Sequence, residues 1–148
     1  MMTTIPTPHA ATVASALPYA MPRCRNAQLA LFALRRMGAF GLNDAQVAHG
    51  FVGAFGESFR RPLILMRVLM AELADTAALP IAIAPCCCGR VTPAEHAVLT
   101  ALNRADTAPD TARLLLADLL GTRRIDGVLA SASAVAQAFA DAGRPIAG

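Results

Sequence analysis

The sequence predicts an all-α fold, a compact bundle of about five to six helices that forms one domain over residues 23–146. Of the 148 residues, 55% are hydrophobic and 16% are charged, so the chain can bury a core. Alanine and leucine supply much of the apolar content, whereas aromatic residues make up only 5%. Because alanine and leucine favour helices, and the residues that favour strands are scarce, this composition indicates helices.

The first half of the chain contains three predicted helices. We expect a flexible tail over residues 1–22, because prolines interrupt a mixture of threonine and alanine there. The first helix is predicted to begin at the cap residue Asn26, and the second at Asn43, where Gln46 three positions later resembles a capping box. The third helix, predicted over 62–75, is apolar almost all round, which is typical of a central helix.

The second half contains three more predicted helices. Residues 92–95 combine a threonine cap, a proline at the first helical position and a glutamate that reaches back to the cap, so a fourth helix should follow to about Ala105. Thr107 is predicted to cap a fifth helix over 109–120 by the same logic. The sixth is predicted over 126–142, and a glycine follows it.

Three consecutive cysteines, Cys86-Cys87-Cys88, are the most unusual feature of the sequence. They follow residues 79–85, a segment bracketed by prolines that we expect to be extended and buried rather than helical. The tail lacks the basic start and unbroken apolar run of a secretion signal, so we expect a cytoplasmic protein. In that reducing compartment, cysteines are expected as thiols or metal ligands rather than as disulfides.

One hypothesis for the cysteines is thiol chemistry. The start of the fourth helix carries partial positive charge, and Arg90 lies beside the cysteines in the sequence. Both features favour a thiolate, so Cys87 and Cys88 are candidate reactive thiols, with a depressed pKa expected at Cys88.

A second hypothesis is a soft-metal site, with zinc as the candidate ion. Alternate residues converge more readily than adjacent ones, so Cys86 and Cys88 are candidate ligands, and Cys24 and His96 are candidates to complete the set. The paired Cys-x-x-Cys knuckles that identify most zinc sites do not occur. Inert thiols packed within a loop are the third interpretation, because free cysteine is often buried.

Charge and motifs argue against several other classes of function. All 13 basic residues are arginine and the formal net charge is +3, too little to predict a nucleic-acid-binding surface. We expect arginine pairs such as Arg35 and Arg36 to lie at helix ends, where they offset the C-terminal helix dipole or simply face water. No run of roughly 20 uninterrupted apolar residues occurs, so no membrane span is predicted. Known catalytic motifs do not occur, and an enzyme is therefore the less favoured interpretation.

Three segments resemble an uncharacterised bacterial domain family of unknown function. They are residues 29–38 (LALFALRRMG), 83–88 (IAPCCC) and 114–121 (LLLADLLG). The resemblance covers roughly Arg23 to Ile146. It implies a self-contained domain and carries over no catalytic residue.

A second resemblance begins at Thr92, where residues 92–99 (TPAEHAVL) are similar to the opening helix of LuxR-type helix-turn-helix regulators. Such regulators need a recognition helix with polar and basic side chains that contact DNA. The segment in the corresponding place, Val128 to Ala140, has no charged residue. The resemblance therefore supports a helix start, and a degenerate regulator is the weakest functional alternative.

Two classes of function follow from the sequence. The first is a small cytoplasmic domain that uses the cysteine run to hold a soft metal or to sense oxidants. The second is a helical scaffold or adaptor whose cysteines are structural and whose apolar helix faces bind a protein partner or a second copy of the chain.

Overall fold

The computed structural model describes residues 17–147. Within that range the chain forms six α-helices, one short 3-10 helix and two two-residue strands. In chain order these are β1 (Tyr19–Ala20), α1 (Arg25–Phe40), α2 (Ala45–Phe55), the 3-10 helix (Gly56–Ser58), α3 (Arg60–Thr76), β2 (Arg90–Val91), α4 (Pro93–Arg104), α5 (Pro109–Leu120) and α6 (Asp126–Asp141). The predicted all-α bundle is confirmed.

The first two helices begin at different residues from those predicted. Helix α1 starts at Arg25, after Cys24 in the cap position, and not at a cap on Asn26. Asp44 rather than Asn43 caps α2, and its carboxylate accepts a hydrogen bond from the Val47 amide at 3.2 Å. Both side chains can cap a helix, so sequence alone did not distinguish the two neighbouring positions.

Helix α3 buries one face and exposes the other. Leu63, Met66 and Leu69 lie in the core, where α3 packs along α6. Ile64 and Val68, one turn apart on the outer face, remain 54% and 42% exposed. The sequence of α3 is apolar on both faces, but the described chain covers only one of them.

The last three helices follow the sequence signals closely. Thr92 and Glu95 form the predicted capping box at the start of α4. Helix α5 begins at Pro109 as predicted, although Ala108 and not Thr107 occupies the cap position and provides no side-chain hydrogen bond. The helix ends at Gly121, whose φ of 70° is the left-handed conformation that favours glycine.

The two short strands join the N-terminal end of the described chain to the start of α4. They pair antiparallel, with Tyr19 opposite Val91 and Ala20 opposite Arg90. Of the predicted tail, residues 1–16 lie outside the described part of the chain. The remainder includes β1, which lies against the helical body.

The segment over residues 79–85 is free of helix, as predicted, but it is not buried. Only Ala84 in this segment is fully covered, because the segment crosses the surface of the bundle. Its longer side chains pack where glycines leave room: Ile83 contacts Gly38, and the Leu79 side chain contacts Gly121. Within residues 17–147, no helix combines the length and apolar character needed to cross a bilayer.

Candidate functional site

A buried ion pair joins α1 to α4. The side chain of Arg35 is 2% exposed and that of Glu95 is fully covered. Arg35 Nε donates a hydrogen bond to Glu95 Oε2 at 2.8 Å, and Nη2 donates to Oε1 at 3.0 Å. The expectation that Arg35 faces water was wrong, because α1 continues to Phe40 and places Arg35 on its buried face.

Glu95 also receives backbone hydrogen bonds. Its carboxylate accepts from the Thr92 amide at 2.9 Å and from the Ala84 amide at 3.0 Å. The Thr92 hydroxyl accepts from the Glu95 amide at 3.0 Å and donates to the Ala82 carbonyl at 2.8 Å. Burial raises the pKa of Glu95, but the hydrogen bonds from Arg35, Thr92 and Ala84 outweigh it, so the pKa lies below its ordinary value.

The three cysteines lie in a tight turn over residues 85–88, which we call the cysteine turn. The Cys88 amide donates to the Pro85 carbonyl at 3.0 Å and closes the turn. Cys86 and Cys87, at its two middle positions, are exposed, and Cys88 is partly covered. All three are free thiols. The two middle thiols are therefore accessible to a dissolved reagent.

Arg35 fixes the cysteine turn to α1 through the main chain. Its Nη1 donates to the Cys88 carbonyl at 2.8 Å, and Nη2 donates to the Arg90 carbonyl at 2.7 Å. Every nitrogen of the guanidinium thus has an acceptor, which allows this charge to be buried. The Arg90 side chain, predicted to act on Cys87 and Cys88, instead donates to the carbonyl of Leu17 at 3.1 Å.

Arg36, the next residue of α1, forms an ion pair with Asp44 at the start of α2. Its Nε and Nη2 donate to the two carboxylate oxygens of Asp44, at 3.0 Å and 2.9 Å. Its guanidinium carbon lies 4.2 Å from the centre of the Phe40 ring. The hydrogen bond to Asp44 is the main reason that the pKa of Arg36 is raised, and interaction with the Cys86 thiol raises it further. The same pair holds the pKa of Asp44 below its usual range.

Cys24 occupies a separate environment at the start of α1. Its thiol lies 3.8 Å from the carbonyl oxygen of Pro145, near the C-terminal end of the described chain. Burial raises the pKa of Cys24, but hydrogen bonds from the backbone amides of Ala27, Ala147 and Asn26 lower it by more. The resulting pKa lies below the ordinary value of a cysteine.

The candidate metal ligands Cys24 and His96 lie in separate environments. Cys24 precedes α1, whereas Arg35, which holds the cysteine turn, lies about 16 Å further along the helix axis. The imidazole of His96 stacks on the Tyr19 ring, with centroids 3.9 Å apart and planes 5° from parallel. In the part of the chain that the structure describes, no three His, Cys, Asp or Glu residues are arranged to hold a metal ion.

Sequence reasoning identified the cysteines but missed the side chains that surround them. Arg35 contacts the turn only because α1 lies against it in the tertiary structure, and Arg36 on the same helix pairs with Asp44. Glu95 was identified for its role in capping and not for its buried ion pair. The one available signal was the position of Arg35 one residue after Leu34, within the apolar stripe of α1.

These features define a class of protein: a small helical domain with a buried arginine-carboxylate pair that fixes an exposed, cysteine-rich turn. A family model described as a family of unknown function (DUF6628) matches residues 8–123, and the chain belongs to that family. The sequence resemblance to an uncharacterised domain family is thereby confirmed. The matched range contains the cysteine turn and its arginines, and it ends before α6. No curated protein and no solved structure matches the chain.

Proposed function

We propose that the domain is a thiol-based sensor that reacts with peroxide-type oxidants through its cysteine turn. The observation that supports this function best is the exposure of two adjacent free thiols, Cys86 and Cys87, in a turn that Arg35 fixes to the helical body. Reaction with a dissolved peroxide needs an accessible sulfur, and the thiolate is the nucleophilic form of cysteine. We place the domain in the reducing cytoplasm as part of the same proposal, since a sensor needs thiols in its resting state.

The proposed reaction with hydrogen peroxide has two steps, formation of a sulfenic acid and formation of a disulfide. The sulfur of the first thiol attacks one peroxide oxygen, so an S–O bond forms and the O–O bond breaks. The departing hydroxide takes up the thiol proton and leaves as water, and the sulfur, oxidised by two electrons, becomes a sulfenic acid. A second cysteine of the turn then attacks that sulfur, an S–S bond replaces the S–O bond, and a second water leaves.

The hydrogen bonds of Arg35 connect the cysteine turn to the helices, so a change in the turn can affect the rest of the fold. Arg35 binds the carbonyl oxygens of Cys88 and Arg90, and the same guanidinium is paired with Glu95 inside the bundle. A disulfide within the turn would change its backbone geometry, and we expect these hydrogen bonds to weaken as a result. Oxidation is therefore expected to loosen the contact between α1 and α4.

Peptide mass spectrometry of the reduced full-length protein, treated with hydrogen peroxide and a sulfenic-acid trap, tests this function. We expect trapped sulfenic acid or a disulfide within residues 86–88 at low peroxide, and no such product in a Cys86→Ser/Cys87→Ser variant. Cys24→Ser is the matched control, because it removes a thiol outside the turn, and it should leave the reaction unchanged. Loop thiols that react no faster than a free low-molecular-weight thiol would refute the proposal.

A soft metal is the competing use of the same cysteines. Elemental analysis of protein purified without chelator distinguishes the two. Near-stoichiometric zinc or copper that is lost in a Cys86→Ser/Cys88→Ser variant would favour metal binding over sensing. Metal-free protein with titratable thiols would support the sensor.

A second candidate function is that of a helical adaptor, favoured by exposed apolar side chains. Ile64 and Val68 lie on the open face of α3, and Phe40, at the end of α1, is 65% exposed. Large exposed apolar side chains are typical of protein-binding surfaces when they are contiguous. Sedimentation at micromolar concentration tests self-association, and an Ile64→Ser/Val68→Ser variant should abolish any dimer that this face forms.

A further inference from the structure

The chain between α3 and α4 crosses the bundle through residues 79–88, which we call the strap, and the cysteine turn forms the end of the strap. No helix or strand lies within this range. Just before the strap, the Ala78 amide donates a hydrogen bond to the Leu120 carbonyl at 2.8 Å. Just after it, β2 pairs with β1. The strap is therefore fixed at both ends and has no regular secondary structure of its own.

One connected cluster of side chains holds the main chain of the strap between its ends. The Thr92 hydroxyl donates to the Ala82 carbonyl at 2.8 Å, and the Glu95 carboxylate accepts from the Ala84 amide at 3.0 Å. Arg35 donates to the last carbonyl of the cysteine turn at 2.8 Å. Because these three side chains also bind one another, the strap and the turn are held by the same network.

The strap lies over an apolar groove between α1 and α3. The groove has a volume of about 290 Å³, and the helices line it with Leu34, Met70 and Leu73. Leu79 and Ile83 of the strap line its other side. Leu34 and Leu73 are almost fully covered, whereas Leu79 remains 52% exposed. The strap is therefore less well packed than the surface that it covers, which is typical of segments that open locally.

Gly38 of α1 is a point of close contact between the helix and the strap. The Ile83 side chain lies against it so closely that a methyl group at position 38 would overlap the Cδ1 atom of Ile83. Gly38 also lies within α1, where alanine is favoured over glycine. An alanine at this position should therefore displace the strap and strengthen the helix at the same time.

We infer that the strap opens as a unit while the helices remain folded, that its opening uncovers the apolar groove between α1 and α3, and that the cysteine turn controls this opening. The helices keep their main packing partners, because α3 packs chiefly along α6 and α4 along α5. Arg35 and Glu95 also keep the two hydrogen bonds that join them, since neither involves the strap. Opening belongs to the reduced fold, whereas its control by the turn rests on the proposed function.

Hydrogen exchange of the Ala84 amide, followed by NMR in the reduced full-length protein, measures opening of the strap. This amide is buried and donates to Glu95, so it exchanges only when the strap leaves the body. We expect it to exchange at least about tenfold faster than the amide of Val135 in the core of α6, with little dependence on added urea, because opening exposes little surface. Equal rates with equal urea dependence would mean that the strap opens only when the whole domain unfolds, and would overturn the inference.

A Gly38→Ala variant tests whether the strap moves independently of the helices. The new methyl group displaces Ile83, so exchange at Ala84 should become roughly tenfold faster, while exchange at Val135 should not become faster. In an Ile83→Ala background the methyl group has room, and Gly38→Ala should no longer change the Ala84 rate. Gly53→Ala is the matched control, because it makes the same change in α2 where no neighbouring atom lies within 4 Å, and it should leave the Ala84 rate unchanged. An unchanged Ala84 rate in Gly38→Ala would refute the strap.

Oxidation of the same protein tests control by the cysteine turn. After treatment with hydrogen peroxide and formation of the disulfide within the turn, we expect the Ala84 amide to exchange roughly tenfold faster than in the reduced protein. A Cys86→Ser/Cys87→Ser variant treated in the same way should keep its reduced rate. Cys24→Ser, which removes a thiol outside the turn, should respond as the wild type does.

The failure of this inference is distinguishable from the failure of the proposed function. A turn that forms its disulfide without any change at Ala84 would leave the sensor intact and overturn the control of the strap. Thiols that do not react with peroxide would overturn the proposed function and that control together, whereas the effect of Gly38→Ala in the reduced protein would still decide whether the strap opens. Melting curves of each variant, recorded by circular dichroism, identify any variant whose exchange changes because the whole domain has unfolded.

Discussion

The replacement Arg35→Met is expected to destabilise the domain more than any substitution of an exposed arginine. Methionine replaces the aliphatic stem, so the change removes the charge and its donors and leaves a cavity where the guanidinium lay. Arg35 donates four hydrogen bonds, two to Glu95 and one to each of the Cys88 and Arg90 carbonyls. Its loss leaves a fully covered carboxylate that keeps only its two backbone donors.

Breaking a buried ion pair by removing one partner costs about 3–5 kcal/mol, because the other charge remains buried without compensation. The two orphaned carbonyls add less, since Cys88 and Arg90 are only partly covered and water can reach them. Domains of this size have total stabilities of about 5–15 kcal/mol, so the expected loss is a large share. The melting temperature should fall by about 15 °C.

Urea unfolding followed by circular dichroism measures this loss, and a double-variant cycle assigns it to the pair. Glu95→Leu combined with Arg35→Met should be less destabilised than the sum of the two single variants, because no unpaired charge then remains. Arg61→Met, at an exposed ion pair, is the control and should melt within about 3 °C of the wild type. A loss of less than about 1 kcal/mol for Arg35→Met would refute the reasoning.

Four further predictions concern the buried pair, the cap of α4 and two glycines. The pKa of Glu95 is depressed in the folded state, so its contribution to stability is present above about pH 4.5 and is lost as the pH falls through the folded pKa. Acid unfolding of a Glu95→Gln variant should therefore depend less steeply on pH than acid unfolding of the wild type. Thr92→Ala removes the cap and the hydrogen bond to Ala82, and should lower the free energy of unfolding by about 1–2 kcal/mol in a urea titration, whereas Thr92→Ser should retain most of it. Gly121→Ala should cost about 1–2 kcal/mol by the same measurement, because φ is 70° there and the new methyl group would meet Leu79. Gly53→Ala, inside α2 with open space around it, should instead stabilise the protein by about 0.5–1 kcal/mol, and equal effects at the two glycines would contradict this account.

The sequence by itself determined the helical class and most helix boundaries. Alanine and leucine favour helices wherever they occur, and capping depends on residues a few positions apart, so both signals are local. For this reason the sequence correctly predicted the capping box at Thr92, the start of α5 at Pro109 and its end at Gly121. Where two cap residues stood side by side, at Asn43 and Asp44, the local signal did not separate them.

Tertiary structure alone decided which side chains surround the cysteines. Arg35 and Glu95 are 60 residues apart in the chain, and no periodicity or spacing links them. Two adjacent arginines look alike in a sequence, yet Arg35 is buried in the bundle and Arg36 forms a partly exposed pair with Asp44. The physical reason is that helix packing sets the neighbours of a charge, and burial and hydrogen bonding then determine what that charge does.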